Sequence, residues 1–113
     1  MTTESNDSNS AAIAALNDAF RRGKRLDLGR VVASAIVAAL PERERSELME
    51  AVRTSADCGK HPHSEHALGC VTVRRIRYLW KIDYYDASLE YGHEDPTATD
   101  CVRVLTVMED WEY

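Results

Sequence analysis

The sequence predicts an α+β fold in which two N-terminal helices pack on a small, mainly antiparallel β-sheet. Three observations lead there. Apolar residues recur at helical spacing in two early segments, 11–22 and 41–54; a period-two alternation runs through 76–86; and a second alternation, 101–108, follows it with no helical pattern between.

Met1 to Ser10 is rich in Ser, Thr, Asn and Asp without apolar period, and is expected to be a disordered tail, leaving 11–113 as a single domain. From Ala11, residues Ala12, Ala15, Leu16, Ala19 and Phe20 form the apolar stripe of a first helix that stops at Gly23. Gly29 to Ser34 is short and β-branched and reads as a strand leading into an apolar turn, Ile36 to Leu40, although the alanines also permit a helix over 30–40. Pro41 suits a first helical turn, Glu42, Glu44 and Glu47 favour the positive end of that helix, and Leu48, Met49 and Val52 supply its buried stripe.

Residues 55–67 hold Gly, Pro, Ser and three histidines and form a loop. Leu68 to Val73 and Ile76 to Asp86 then make a hairpin about Arg74-Arg75. On its second strand Ile76, Tyr78, Trp80, Ile82 and Tyr84 share the face expected to be core, and Arg77, Leu79, Lys81, Asp83 and Tyr85 share the other. A loop over 87–100 leads to 101–108, read as a strand, with a helix as rival because Cys101, Val104, Leu105 and Met108 also share a helical face.

With 113 residues, 44% of them hydrophobic and 29% charged, the chain is the size of one globular domain. It has no apolar run long enough to span a bilayer, and its first residues lack the parts of a signal peptide, so a cytoplasmic protein is expected. Three cysteines, Cys58, Cys70 and Cys101, are an odd set for a disulfide framework, and none is expected.

The net charge of −5 is unevenly spread. Residues 1–19 carry three acids and no base; residues 20–81 carry 13 Lys/Arg against 7 Asp/Glu; residues 82–113 carry 9 acids against Arg103 alone. A row of carboxylates gathered by folding attracts a basic groove at a distance and can stand in for phosphates. Asp83, Asp86, Glu90, Glu94 and Asp95, with Tyr85 and Tyr91 as neighbouring anchors, are the candidate partner-binding residues.

Other constellations compete. Cys58, His61, His63, His66 and Cys70 place five potential zinc ligands in thirteen residues, but their spacing matches no paired-knuckle pattern. His66 with Asp83 or Asp86 and a cysteine can be drawn as a triad, yet the chain has no nucleophile elbow, no phosphate-cradling Gly loop and no His-Glu-x-x-His, so no catalytic residue and no enzyme is expected. Arg21, Arg22, Lys24, Arg25 and Arg30 form a basic run without a nucleic-acid reader motif.

The chain resembles domain-of-unknown-function family 3768. The resemblance is carried by Ala15 to Arg21, Gly29 to Val32, Ala38 to Pro41, Glu65-His66, Trp80 to Asp86, Tyr91-Gly92, Glu94 to Pro96, Arg103 to Thr106 with Met108, and Glu112-Tyr113. It implies one compact domain, encoded in bacteria and often on mobile elements, and supplies no activity to carry over. Where the family pattern looks like His-Asp-Phe-Gly, this chain has His66-Ala67-Leu68-Gly69, which removes an acid that would have paired with His66.

The expectation from residues and resemblance together is a non-enzymatic accessory protein of a phage or plasmid. Its acidic surface would bind and inhibit a host nucleic-acid-handling defence complex, of the anti-CRISPR or anti-restriction kind, with no cofactor, no membrane and no direct nucleic-acid contact. The alternatives are a small zinc-binding protein using the Cys58 to Cys70 loop, and a DNA-binding regulator.

Overall fold

A computed structural model describes residues 2–55 and 65–113, with side chains described from residue 9 onward. Helix α1 (Thr2–Arg21) is followed by a 3-10 turn (Leu26–Leu28), strand β1 (Gly29–Ala33), the single-turn helix α2 (Ala35–Ala38), helix α3 (Glu42–Thr54), strands β2 (Leu68–Val73), β3 (Ile76–Tyr85) and β4 (Val102–Glu109), and a second 3-10 turn (Asp110–Glu112). The sheet order is β1-β4-β3-β2, with β1 parallel to β4 and the other two pairings antiparallel. The α+β, mainly antiparallel expectation is met.

Two boundaries differ from the sequence reading. Helix α1 already runs from Thr2, through the stretch expected to be a disordered tail, because no Gly or Pro interrupts it before Gly23. Pro41 is the residue before α3 rather than its first turn, extended at ψ 147°. The segment after β1 forms α2, capped where Ser34 Oγ accepts from the Val37 amide at 3.3 Å.

The buried stripe of α1 is also rotated from the expected one. Ile13, Ala14, Asn17, Phe20 and Arg21 are buried, whereas Ala12 and Ala15 face solvent. Small alanines gain little by burial, and two polar side chains with fixed hydrogen-bond partners take the inner face instead.

The core lies between the helices and one sheet face. Phe20, Val37, Leu48 and Val52 meet Tyr78, Trp80 and Ile82 of β3 and Leu105 and Val107 of β4, with Trp80 fully buried at the centre. The expected inner face of β3 holds for Tyr78, Trp80 and Ile82, whereas Tyr84 is half-buried, Ile76 at the turn is exposed and Leu79 of the other face is buried; period two wins over period 3.6 in 102–109 because that segment is a central strand. Gly29 is required by a close approach: a Cβ there would sit 2.0 Å from the Arg103 carbonyl oxygen.

The β2–β3 turn is made by Arg74 (φ 51°) and Arg75 (φ 70°), a left-handed pair that normally asks for Asn-Gly. Arg74 also forks onto α3, donating from Nε and Nη2 to Glu47 at 2.9 and 2.8 Å and from Nη1 to Glu44 at 3.2 Å. The turn is thus fastened to a helix by a side chain that a glycine would lack.

Candidate functional site

Most of the expected contact residues lie on one lobe, the segment 86–100 between β3 and β4. It folds back on the end of β3: the Asp86 amide donates to the Tyr91 carbonyl at 2.8 Å, the His93 amide to the Tyr84 carbonyl at 3.1 Å, and Gly92 bridges to Tyr85. Two carboxylates build the turns that shape it. Asp86 Oδ1 accepts from the Ser88 amide and hydroxyl, and Asp95 Oδ1 accepts from those of Thr97. These bonds favour the ionised form, so both carboxyls are held below their ordinary range, the Ser88 hydroxyl being the main cause for Asp86 and the Thr97 hydroxyl for Asp95.

Glu90, Tyr91, Glu94 and Asp95 are exposed, and Asp86 is half-buried. Among the described residues none of Asp86, Glu90, Glu94 and Asp95 forms an ion pair, while Asp100 is 2.7 Å from His93 Nε2. No Lys or Arg occurs between Lys81 and Arg103, so the lobe's own segment brings acids without a basic side chain, while Arg30 borders it in a groove with Leu89 and Arg25 shares a cavity with Thr97 to Thr99.

Asp83 stands apart from the lobe, and Tyr85 lies at its border. They lie on the sheet face away from the helices, where Lys81 Nζ donates to Asp83 and Tyr85 lines a shallow groove with Arg30, Val32, Leu89 and Val104. The row of acids is therefore split into a paired residue on the sheet and an unpaired set on the lobe.

A buried polar cluster holds the lobe to the rest of the fold. Arg103, 1% exposed, donates from Nε to Asn17 Oδ1 at 2.6 Å, from Nη2 to the Pro96 carbonyl at 2.7 Å and from Nη1 to Cys101 Sγ at 3.8 Å. Its guanidinium also lies over the Tyr84 ring at 5.4 Å. Asn17 Nδ2 donates to the Glu65 carbonyl and to Tyr84 Oη, both at 2.9 Å, and the Tyr84 hydroxyl donates to Glu65 Oε1 at 3.0 Å. Burial is the main cause that pushes the Tyr84 phenol up to about 12 and the Arg103 guanidinium below its ordinary value.

Next to this cluster His66 Nδ1 is 2.9 Å from Asp18 Oδ2, and Arg21 Nη2 donates to Asp18 Oδ1 at 3.3 Å. The acid absent from position 67 is thus supplied by α1, and His66 meets neither Asp83 nor Asp86 in the manner of the triad drawn from sequence. Asn17, Asp18 and Arg103 were not among the candidate site residues. The signal that marks Arg103 is its being the lone cation of an acid-rich third of the chain.

Cys58, His61 and His63 of the zinc set lie outside the described residues. Of the remaining two, His66 faces α1, while Cys70 lies on the other sheet face and its Sγ accepts from Arg77 Nη2 at 3.3 Å. Among the described residues no group of three potential metal ligands converges. The basic run is divided too: Arg21 is buried, donating from Nη1 to the Val52 and Ser55 carbonyls, each at 2.7 Å, and Arg25 pairs with Asp27 at 2.8 Å.

A family model described as a protein of unknown function (DUF3768) matches residues 33–112. No curated protein and no solved structure matches the chain.

Proposed function

Since the chain belongs to the DUF3768 family, whose members are described only as proteins of unknown function, its role has to be argued from its own surface, and we propose that it is a non-enzymatic binding protein. Its acidic lobe, 86–100, would occupy a basic nucleic-acid-binding groove on a partner complex. The observation that carries this reading is the set of four unpaired carboxylates, Asp86, Glu90, Glu94 and Asp95, on a lobe pinned by a buried arginine. A pre-ordered row of anions loses little conformational entropy on binding and competes with phosphates for the same cations.

The partner class that suits such a lobe is a host defence nuclease of the restriction or CRISPR type, met in the bacterial cytoplasm by a mobile-element protein. Among the described residues no helix is long and apolar enough to cross a membrane. The division of the basic run, with Arg21 buried and Arg25 paired, disfavours the DNA-binding regulator.

The test uses tagged protein as bait in lysate of its native host, with identification of what is retained. Glu90→Gln with Glu94→Gln removes two charges that shape no turn, so folding is preserved while attraction falls. The reading expects a nucleic-acid-binding complex that elutes in rising salt and is lost with the double variant. Retention that is insensitive both to salt and to these two substitutions would refute it.

A further inference from the structure

We propose that β1 is a self-association edge: two copies of the chain pair antiparallel through Gly29–Ala33 about a twofold axis at Val31, joining their four-stranded sheets into one. The proposal is independent of the acidic lobe. It starts from the backbone. The Ser34 amide donates to the Val107 carbonyl at 3.0 Å. On a parallel ladder of period two, residues 30 and 32 then also turn their N–H and C=O groups toward β4, while Gly29, Val31 and Ala33 turn theirs outward.

That outward set is symmetric about its middle member. A second copy laid antiparallel puts Val31 opposite Val31, where both hydrogen bonds can be exchanged, and Gly29 opposite Ala33, where the Ala33 amide can donate to the Gly29 carbonyl while the Gly29 amide stays on the Leu26 carbonyl. Strand β1 lies at the end of the sheet, and among the described residues no strand pairs with its outer side, where only the Gly29 amide is engaged, by the Leu26 carbonyl. The edge is blunted only by its short length and by Arg30: there is no Pro, no Lys and no bulge, and Val31 and Val32 are 45% and 43% exposed.

The two ends of β1 also complement one another. Leu26, 64% exposed, precedes the strand next to the basic residues Arg22 and Lys24, with Arg25 paired to Asp27, and Arg30 lies on the strand. At the far end, Ser34 Oγ donates to Glu112 Oε1 at 2.9 Å, which ties down the turn that carries Glu112, the 70%-exposed Trp111 and Asp110, the last already 3.6 Å from Arg77 Nε. Antiparallel pairing brings the basic, leucine-bearing end of each copy toward the acidic, tryptophan-bearing end of the other, and symmetry makes that contact twice. Charge and apolar surface match in the same orientation that the backbone requires, which is why a second copy, rather than a foreign strand, is the occupant. A five-residue strand is a short contact against the roughly 1,200 Å² of a stable interface, so dissociation is expected in the micromolar range.

Sedimentation equilibrium over a hundredfold concentration range, with tryptophan emission recorded in parallel, tests the idea. Trp80 is fully buried and Trp111 is exposed, so a blue shift on concentration reports Trp111. The expected result is a mass that rises from 12.7 kDa toward twice that value as the emission shifts. Val31→Lys, which sets like charges opposite each other on the axis, should weaken association at least tenfold with an unchanged far-ultraviolet spectrum and melting curve, and Trp111→Ala should weaken it several-fold. A mass of one chain at all concentrations overturns the proposal, as does a dimer that tolerates both substitutions.

Discussion

Replacing Arg103 by Met keeps the volume of the side chain and removes every hydrogen bond it donates. The Asn17 Oδ1 and the Pro96 carbonyl, at 2.6 and 2.7 Å from the guanidinium, would each lose their donor. Leaving a buried acceptor unsatisfied costs about 1–3 kcal/mol, so the two together cost roughly 3 kcal/mol once removal of the cation's own desolvation penalty is set against them. With the lost stacking on Tyr84, worth roughly 1 kcal/mol, the expected destabilisation is about 4 kcal/mol. For a domain of this size that lowers Tm by on the order of 15 °C. Urea unfolding followed by circular dichroism measures it directly, and Arg103→Lys, able to reach only one of the two acceptors, should fall between. A loss below about 1 kcal/mol would show that Asn17 and Pro96 find other partners, and that Arg103 does not pin the lobe.

Three further outcomes follow from the same geometry. Gly29→Ala puts a methyl group onto the Arg103 carbonyl and should cost about 2–4 kcal/mol, read in the same unfolding experiment; a neutral effect would mean that β1 can move off β4. Arg75→Gly relieves a left-handed backbone and should raise stability by about 1 kcal/mol, whereas Arg74→Gly should gain less because it also releases Glu44 and Glu47. Tyr84 has a folded pKa of about 12 against an ordinary 10.0, so its contribution is complete below pH 10 and is lost as pH rises toward 12. Phenolate absorbance during an alkaline titration should show Tyr84 ionising late, in addition to Tyr78, whose phenol burial also pushes up, and Tyr84→Phe should remove one phenolate from the late part of the curve.

Local patterns carried much of the fold. The alternation of 76–86 identified the core face of β3, and Leu48 and Val52 identified that of α3, because both depend only on neighbours in sequence. Helix α1 misled for a physical reason: its inner face holds Asn17 and Arg21, whose partners Arg103, Val52 and Ser55 come from distant segments, so a hydrophobic count points to the wrong side. The pairing of His66 with Asp18 was hidden in the same way, being a contact across 48 positions. Loop carboxylates were legible as a charged run, and the alternation that puts Lys81 and Asp83 on one face of β3 already implied that Asp83 is separate from the rest.

The order of the strands has a consequence for how the chain assembles. Strands β2 and β3 are joined by a tight turn and can zip as soon as they are made, within microseconds. By contrast β4, which sits between β1 and β3, is the last strand in the chain. Until it leaves the ribosome, β1 has no neighbour on either side and the hairpin presents a bare flank. Completion of the sheet waits for β4 to emerge, and the interval before it is when a nascent copy is most open to chaperones or to pairing with another chain.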